Sequence, residues 1–235
     1  MKALVLSGGG LFGAWQAGAW SVLSEQFEPD LVVGASVGSL NGYAIACGAS
    51  CEELCGMWRE REFRDFGRLH QNLQLLTSRY SLRRPFALTV TDIWPLRVRV
   101  YRDKEITWRH LAASCALPLV LPQVRLNGRW STDGGLLEAL PISTAVALGA
   151  TEIVGLHVLR PFPSMVLGSL AMAVRRGLGP SDTLPTGVRL RVGSPREKLG
   201  GLRDTAWASG EQVEAWIARG AEDMRAWAVQ KPFPL

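Results

Sequence analysis

Histidine is scarce in this chain: His70, His110 and His157 are the only three among 235 residues. Chemistry that needs a histidine base has few places to find one. Long apolar runs are also missing. A membrane-spanning helix needs about 18 consecutive apolar residues. The nearest stretch, Ser164 to Val174, is shorter and ends at Arg175-Arg176. The apolar run at the N-terminus, Ala3 to Leu6, gives way at once to Gly8-Gly9-Gly10, so it does not read as a secretory leader. The expected location is the cytoplasm. No dense Lys/Arg run occurs. The 26 basic and 21 acidic side chains leave a net charge of +5, which suits anionic surfaces in general and gives nucleic acid no particular support. Cysteine is limited to positions 47, 51, 55 and 115. Their spacing matches no common zinc pattern, and they read as small buried hydrophobes without metal or disulfide.

Apolar residues make up 47% of the chain and charged residues 20%, enough to bury a core and too few charges for disorder. Short apolar strands alternate with helical patterns. Strands are expected at Ala3–Leu6, Leu31–Val33, Phe86–Ile93, Leu96–Tyr101, Arg129–Thr132, Glu152–Leu159 and Val188–Gly193. Helical periodicity runs from Phe12 to Phe27, over the small residues after Ser36, and from Cys51 to about Leu76, where Ser50 to Glu53 reads as a capping box. A last helix starts at a Ser209 cap and buries Val213, Trp216, Ile217, Met224 and Trp227. Asn127-Gly128 marks a tight hairpin. This order predicts a single domain over residues 1–235: an α/β fold, a three-layer α/β/α sandwich around a mainly parallel sheet. The segment from Arg160 to Thr186, rich in proline and glycine, reads either as a surface loop with one helix or as a flap beside an apolar pocket.

Three small motifs sit at strand ends. The first is Ser7 to Gly13, "SGGGLFG". Gly8, Gly10 and Gly13 fit the dinucleotide pattern, which also needs an acidic residue at the end of the second strand. Here the acid, Asp30, precedes that strand, and the strand runs into Gly34-Ala35-Ser36. The dinucleotide reading fails there, and no Gly-Lys-Ser/Thr follows for a phosphate loop. What remains is a set of backbone N–H groups at a helix N-terminus, able to hold a phosphate or an oxyanion. The second motif is Gly34-Ala35-Ser36-Val37-Gly38. It lies between a strand and a helix, the context in which a serine is raised on a sharp turn as a nucleophile. The third is Asp133-Gly134-Gly135, following the hairpin strand.

Ser36 needs a group to take its proton. His70 and His110 precede Asp133, so they break the Ser…Asp…His order of the α/β-hydrolases. His157 fits that order but is expected inside a strand. Asp92 and Asp133 both stand at strand ends and could serve directly. Asp133 is preferred because glycines follow it.

The three motifs in this order resemble the patatin-like phospholipase family, whose pattern is G-G-G-x-R/K-G, then G-x-S-x-G, then D-G-G/A. "LSGGGLFGAWQAG", "GASVGSLNG" and "STDGGLLEALPI" match it, and "LAASCALPLVLPQV" is similar to the family's serine- and proline-containing segment. The likeness spans roughly Met1 to Val158. It implies Ser36 as nucleophile and Asp133 as base of a Ser–Asp dyad. It also implies an oxyanion hole from the N–H groups of Gly8, Gly9 and Gly10, with Gly13, Gly34, Gly38, Gly134 and Gly135 as supporting positions. The implied activity is hydrolysis of lipid acyl esters, phospholipids among them, with no metal or cofactor. The implied partner is a lipid or acyl-ester substrate, with peripheral contact at a membrane as a further expectation. One position departs: Phe12 stands where the family has a basic residue. That departure keeps open a second reading, a weakened scaffold that binds lipid or a protein partner. Most of the nine tryptophans read as packing residues; some at a lipid interface is the second reading.

Overall fold

The computed structural model describes residues 1–118, 120–160, 177, 179 and 184–230. Among the described residues, eight strands form one sheet: β1 (Lys2–Leu6), β2 (Leu31–Ala35), β3 (Phe86–Asp92), β4 (Arg97–Arg102), β5 (Val124–Leu126), β6 (Arg129–Thr132), β7 (Glu152–Leu156) and β8 (Arg189–Gly193). Their order is β5-β6-β3-β2-β1-β7-β8, with β4 paired to β3. The pairs β3–β2, β2–β1, β1–β7 and β7–β8 are parallel, while β4, β5 and β6 pair antiparallel. The inner strands are buried at nearly every residue, as a sheet covered on both faces requires.

Among the described residues the α-helices include α1 (Gly13–Leu23), α2 (Val37–Ala46), α3 (Cys51–Arg59), α4 (Arg61–Arg64), α5 (Leu69–Arg79), α6 (Trp108–Ser114), α7 (Ile142–Ala147) and α8 (Gly210–Gln230). Side-chain alternation along the strands divides the core. Leu4, Leu6, Val32, Phe86 and Leu88 face the layer that contains α1, α2 and α8. Ala3, Val5, Leu31, Val33 and Ala87 face the layer that contains α7. The result is the expected three-layer α/β/α sandwich with a mainly parallel sheet. Among the described residues, no helix is long and apolar enough to cross a membrane.

Two expectations are corrected. The helical pattern from Cys51 to Leu76 is broken at Glu60 and again at Asp65, both extended; Asp65 then accepts the Gly67 N–H at 2.8 Å and starts a new turn. The strand expected to reach Leu159 stops at Leu156. Beyond it, His157 N–H still reaches the Gly193 carbonyl at 2.9 Å, but Val158 N–H turns to Ser7 Oγ at 3.0 Å. The Ser50–Glu53 capping box is formed, and Asn127 and Gly128 both have positive φ, as a two-residue hairpin turn demands. Most of the Arg160–Thr186 segment lies outside the described residues.

One detail of register positions the site. β2 pairs with β3 only as far as Ala35 opposite Thr89. β3 runs on, and β6 pairs antiparallel with the overhang, Thr132 opposite Thr91. β4 occupies the other edge of β3 from Ala87 to Asp92, so β2 and β6 share one edge and approach end to end. The residue after β2 is Ser36 and the residue after β6 is Asp133. Both leave their strands opposite Val90.

Candidate functional site

Ser36 has a left-handed backbone geometry, φ 53° and ψ −130°, between β2 and α2. A non-glycine residue in such a region costs about 1–3 kcal/mol and persists only where its surroundings enforce it. The enforcement comes from the flanking glycines. A methyl group at Gly34 would lie 2.3 Å from the Gly38 carbonyl oxygen, and one at Gly38 would lie 2.3 Å from the Leu6 carbonyl oxygen. The turn can therefore fold back against β1 only with glycine at both places. Ser36 N–H donates to Ser114 Oγ at 2.9 Å, and Ser36 carbonyl accepts from Ser39 N–H at 2.8 Å and Ser39 Oγ at 2.6 Å. The side chain is half-buried at the N-terminus of α2, where the helix dipole presents its positive end.

The glycine loop follows β1 and lies directly over this turn. A methyl group at Gly8 would come within 3.0 Å of Ser36 Cβ and 3.7 Å of Ser36 Oγ. Gly8 N–H donates to the Ala139 carbonyl at 3.0 Å, so of the three glycines it is already held by the main chain. Gly9 faces Val158, and Gly10, at φ +58°, faces the Thr205 carbonyl. Gly13 opens α1 against Val37 and Trp58. Phe12, at the position of the family's basic residue, does not look toward the site. It is 1% exposed and meets Trp216 of α8 edge-on, ring centroids 5.0 Å apart.

Asp133 is 4% exposed. Its N–H donates to the Ala116 carbonyl at 3.0 Å, and its carbonyl accepts from Thr91 Oγ1 at 2.9 Å. Its Oδ1 accepts the Gly135 N–H at 2.7 Å, a tight turn closed by its own side chain. Gly134 N–H donates to the Ser114 carbonyl at 3.0 Å. Gly135 in turn abuts the glycine loop, a methyl group there falling 3.8 Å from Gly8 Cα. Ser36, the glycine loop and the Asp133 turn thus form one cluster. Cys115 lies beneath it: burial, then the nearby charge of Asp133, push its thiol far above the ordinary range, opposed by a hydrogen bond with Ser39.

The other candidate bases are elsewhere or otherwise committed. Asp92 is fully buried and bound by Arg99 at 2.8 Å and Arg97 at 3.3 Å. Burial alone would raise its carboxyl, but the hydrogen bonds from Arg99 and Arg97 outweigh that and lower it. His70 is exposed on α5 beside Trp108, ring centroids 5.5 Å apart. His110 sits in the first turn of α6, the end opposite Ser114, and accepts Thr107 N–H at 3.1 Å. His157 is not inside a strand, as the sequence suggests, but one residue past β7, with Nδ1 accepting Leu159 N–H at 3.2 Å. With β1 between β7 and β2, its backbone lies two strand spacings from that of Ser36, about 10 Å.

Sequence alone does not single out Ser114, only the segment that contains it. Its hydroxyl donates to the Thr89 carbonyl at 2.8 Å while accepting Ser36 N–H, and its carbonyl takes Gly134 N–H. A serine at the end of a short helix carries no distinctive signal by itself.

The family model described as "Patatin-like phospholipase" matches residues 4–146. The human and mouse "Patatin-like phospholipase domain-containing protein 6" are each 30% identical over 185 residues, covering 66% of this chain and 13% of the relative. "Lysophospholipase NTE1" of Meyerozyma guilliermondii is 27% identical over 180 residues, covering 66% of this chain and 12% of its own length. This chain therefore spans about an eighth of those relatives. The crystal structure of VipD from Legionella pneumophila shares the fold, with a TM-score of 0.61, 13% identity, 97% of this chain covered and 67% of that one.

Proposed function

Because the chain belongs to the patatin-like phospholipase family, we propose that it is a lipid acyl hydrolase in which Ser36 is the nucleophile and Asp133 the base. The substrate is a carboxylic ester of a phospholipid or lysophospholipid. The observation that carries this reading is the register on β3: Ser36 and Asp133 leave β2 and β6 opposite the same residue, Val90. In the first step Asp133 accepts the Ser36 hydroxyl proton as Oγ attacks the acyl carbonyl. The carbonyl oxygen takes negative charge. Its donors are the backbone N–H groups of Gly9 and Gly10, at the start of the turn into α1, while Gly8, whose N–H is bound to Ala139, contributes clearance above Oγ. The proton then passes from Asp133 to the departing alkoxide, leaving an acyl-serine. Water attacks that ester, Asp133 takes its proton, and Ser36 leaves as the free hydroxyl with the fatty acid released.

The test is labelling with a fluorophosphonate probe, read by intact mass. Folded protein is expected to gain one adduct, absent in Ser36→Ala. On a short-chain nitrophenyl ester, Asp133→Asn is expected to lower turnover by about a thousandfold or more, and His157→Ala by far less. The reverse ranking would make His157 the base. The second reading, a scaffold that binds lipid or a protein partner without turnover, rests on Phe12 in place of the basic residue. Folded protein that takes no adduct would favour it.

A further inference from the structure

β3 extends beyond Ser36 and turns into β4 through Ile93 to Leu96. That turn projects from the same end of the sheet as the Ser36 cluster. At its apex Trp94 is 85% exposed, and Trp130 on the adjoining β6 is 55% exposed. Ile93 N–H donates to the Trp130 carbonyl at 2.9 Å, so the two segments are joined in one tip. Ile93, Trp94, Asn127, Gly128, Arg129 and Trp130 line a depression of about 490 Å³ there. Leu117 and Val120, also exposed, follow Ala116, whose carbonyl holds the Asp133 N–H.

The exposed charge around the tip has one sign. From residue 92 to 100 and from 124 to 131 there are four arginines, Arg97, Arg99, Arg125 and Arg129, and one acid, the buried Asp92. The balance is +3. Exposed tryptophan beside arginine is the chemistry of the lipid headgroup layer, where the indole ring is half wet and the cation meets phosphate.

We infer that the Trp94–Trp130 tip is the surface by which this protein docks on an anionic phospholipid bilayer, holding the Ser36 end of the sheet against the membrane. The inference takes lipid as substrate from the reading above, yet its test does not depend on turnover. Ser36→Ala protein serves as the parent, so no hydrolysis alters the vesicles. Cosedimentation is measured with phosphatidylcholine vesicles and with vesicles of equal parts phosphatidylcholine and phosphatidylglycerol. The parent is expected to bind the mixed vesicles more strongly, and less so as salt is added. Trp94→Ala is expected to weaken that binding about tenfold. Arg129→Ala is expected to weaken binding to the mixed vesicles and leave the neutral ones unchanged. Trp94 is in an exposed turn, so Trp94→Ala keeps the test clear of misfolding, which a thermal scan checks. Equal binding by Trp94→Ala and the parent overturns the inference. So does a concentration-dependent dimer that Trp94→Ala dissociates, because the tip would then be a contact between copies. Absence of fluorophosphonate labelling in the wild-type protein with vesicle binding intact would sink the proposed chemistry and leave the docking surface standing.

Discussion

Ser114 Oγ accepts the backbone N–H of Ser36 at 2.9 Å while its own proton is given to the Thr89 carbonyl. With its carbonyl on Gly134 N–H, this one residue joins the Ser36 turn, β3 and the Asp133 turn. Ser114→Ala removes the acceptor of the part-buried Ser36 N–H and a donor to the buried Thr89 carbonyl, and a polar group left buried without a partner costs about 1–3 kcal/mol. We expect a loss of about 2 kcal/mol in urea unfolding and fluorophosphonate labelling slowed about tenfold. Labelling at the parental rate, in a variant that is destabilised, would mean that Ser114 supports the fold without setting the position of Ser36.

Phe12 explains why a basic residue is missing from the glycine loop. Its side chain is part of the core and packs on Trp216. Restoring the family's charge by Phe12→Arg should therefore not improve the site. It removes a buried aromatic ring and brings a cation into an apolar setting, which together cost about 3–5 kcal/mol. Denaturant unfolding should show that loss, with no gain in labelling rate. A variant as stable as the parent would show that this position has an outward route for a charged side chain.

Asp92 predicts a pH dependence of stability. Burial would raise its carboxyl, but Arg99 and Arg97 hold it below the ordinary range. A folded-state value below the unfolded one contributes stability that is fully present above the unfolded value, near 3.9, and is lost as pH falls through the folded value. Asp92→Asn should lower the melting temperature by about 3 °C at neutral pH, and the gap should close as acid titrates the parent. Labelling of Ser36 should survive, since Asp92 is not the proposed base. A gap that is constant with pH would indicate lost packing instead of a lost charge.

Much of the candidate site is legible along the chain because it consists of local patterns. Small residues between an apolar run and a helix mark Ser36, and Asn127-Gly128 marks the hairpin ahead of Asp133. What could not be read is register. Nothing in the sequence says that β6 pairs with the part of β3 that β2 leaves uncovered, and that pairing is what brings the two turns together. Strand ends were equally hidden. "HVL" looks as apolar as the strand before it, but Ser7 Oγ takes the Val158 N–H and ends the ladder. The orientation of Phe12 depends on a helix some 200 residues later in the chain, beyond the reach of any local window.

The glycine loop is enclosed by the C-terminal third of the chain: Gly9 by Val158, Gly10 by Thr205, and Phe12 by Trp216. All three lie outside the residues 4–146 that match the family model. Sequence drift in that third is consequently not independent of the motif it covers. A bulkier side chain at 158 or a shifted backbone at 205 would push on a loop whose glycines have no side chains to yield.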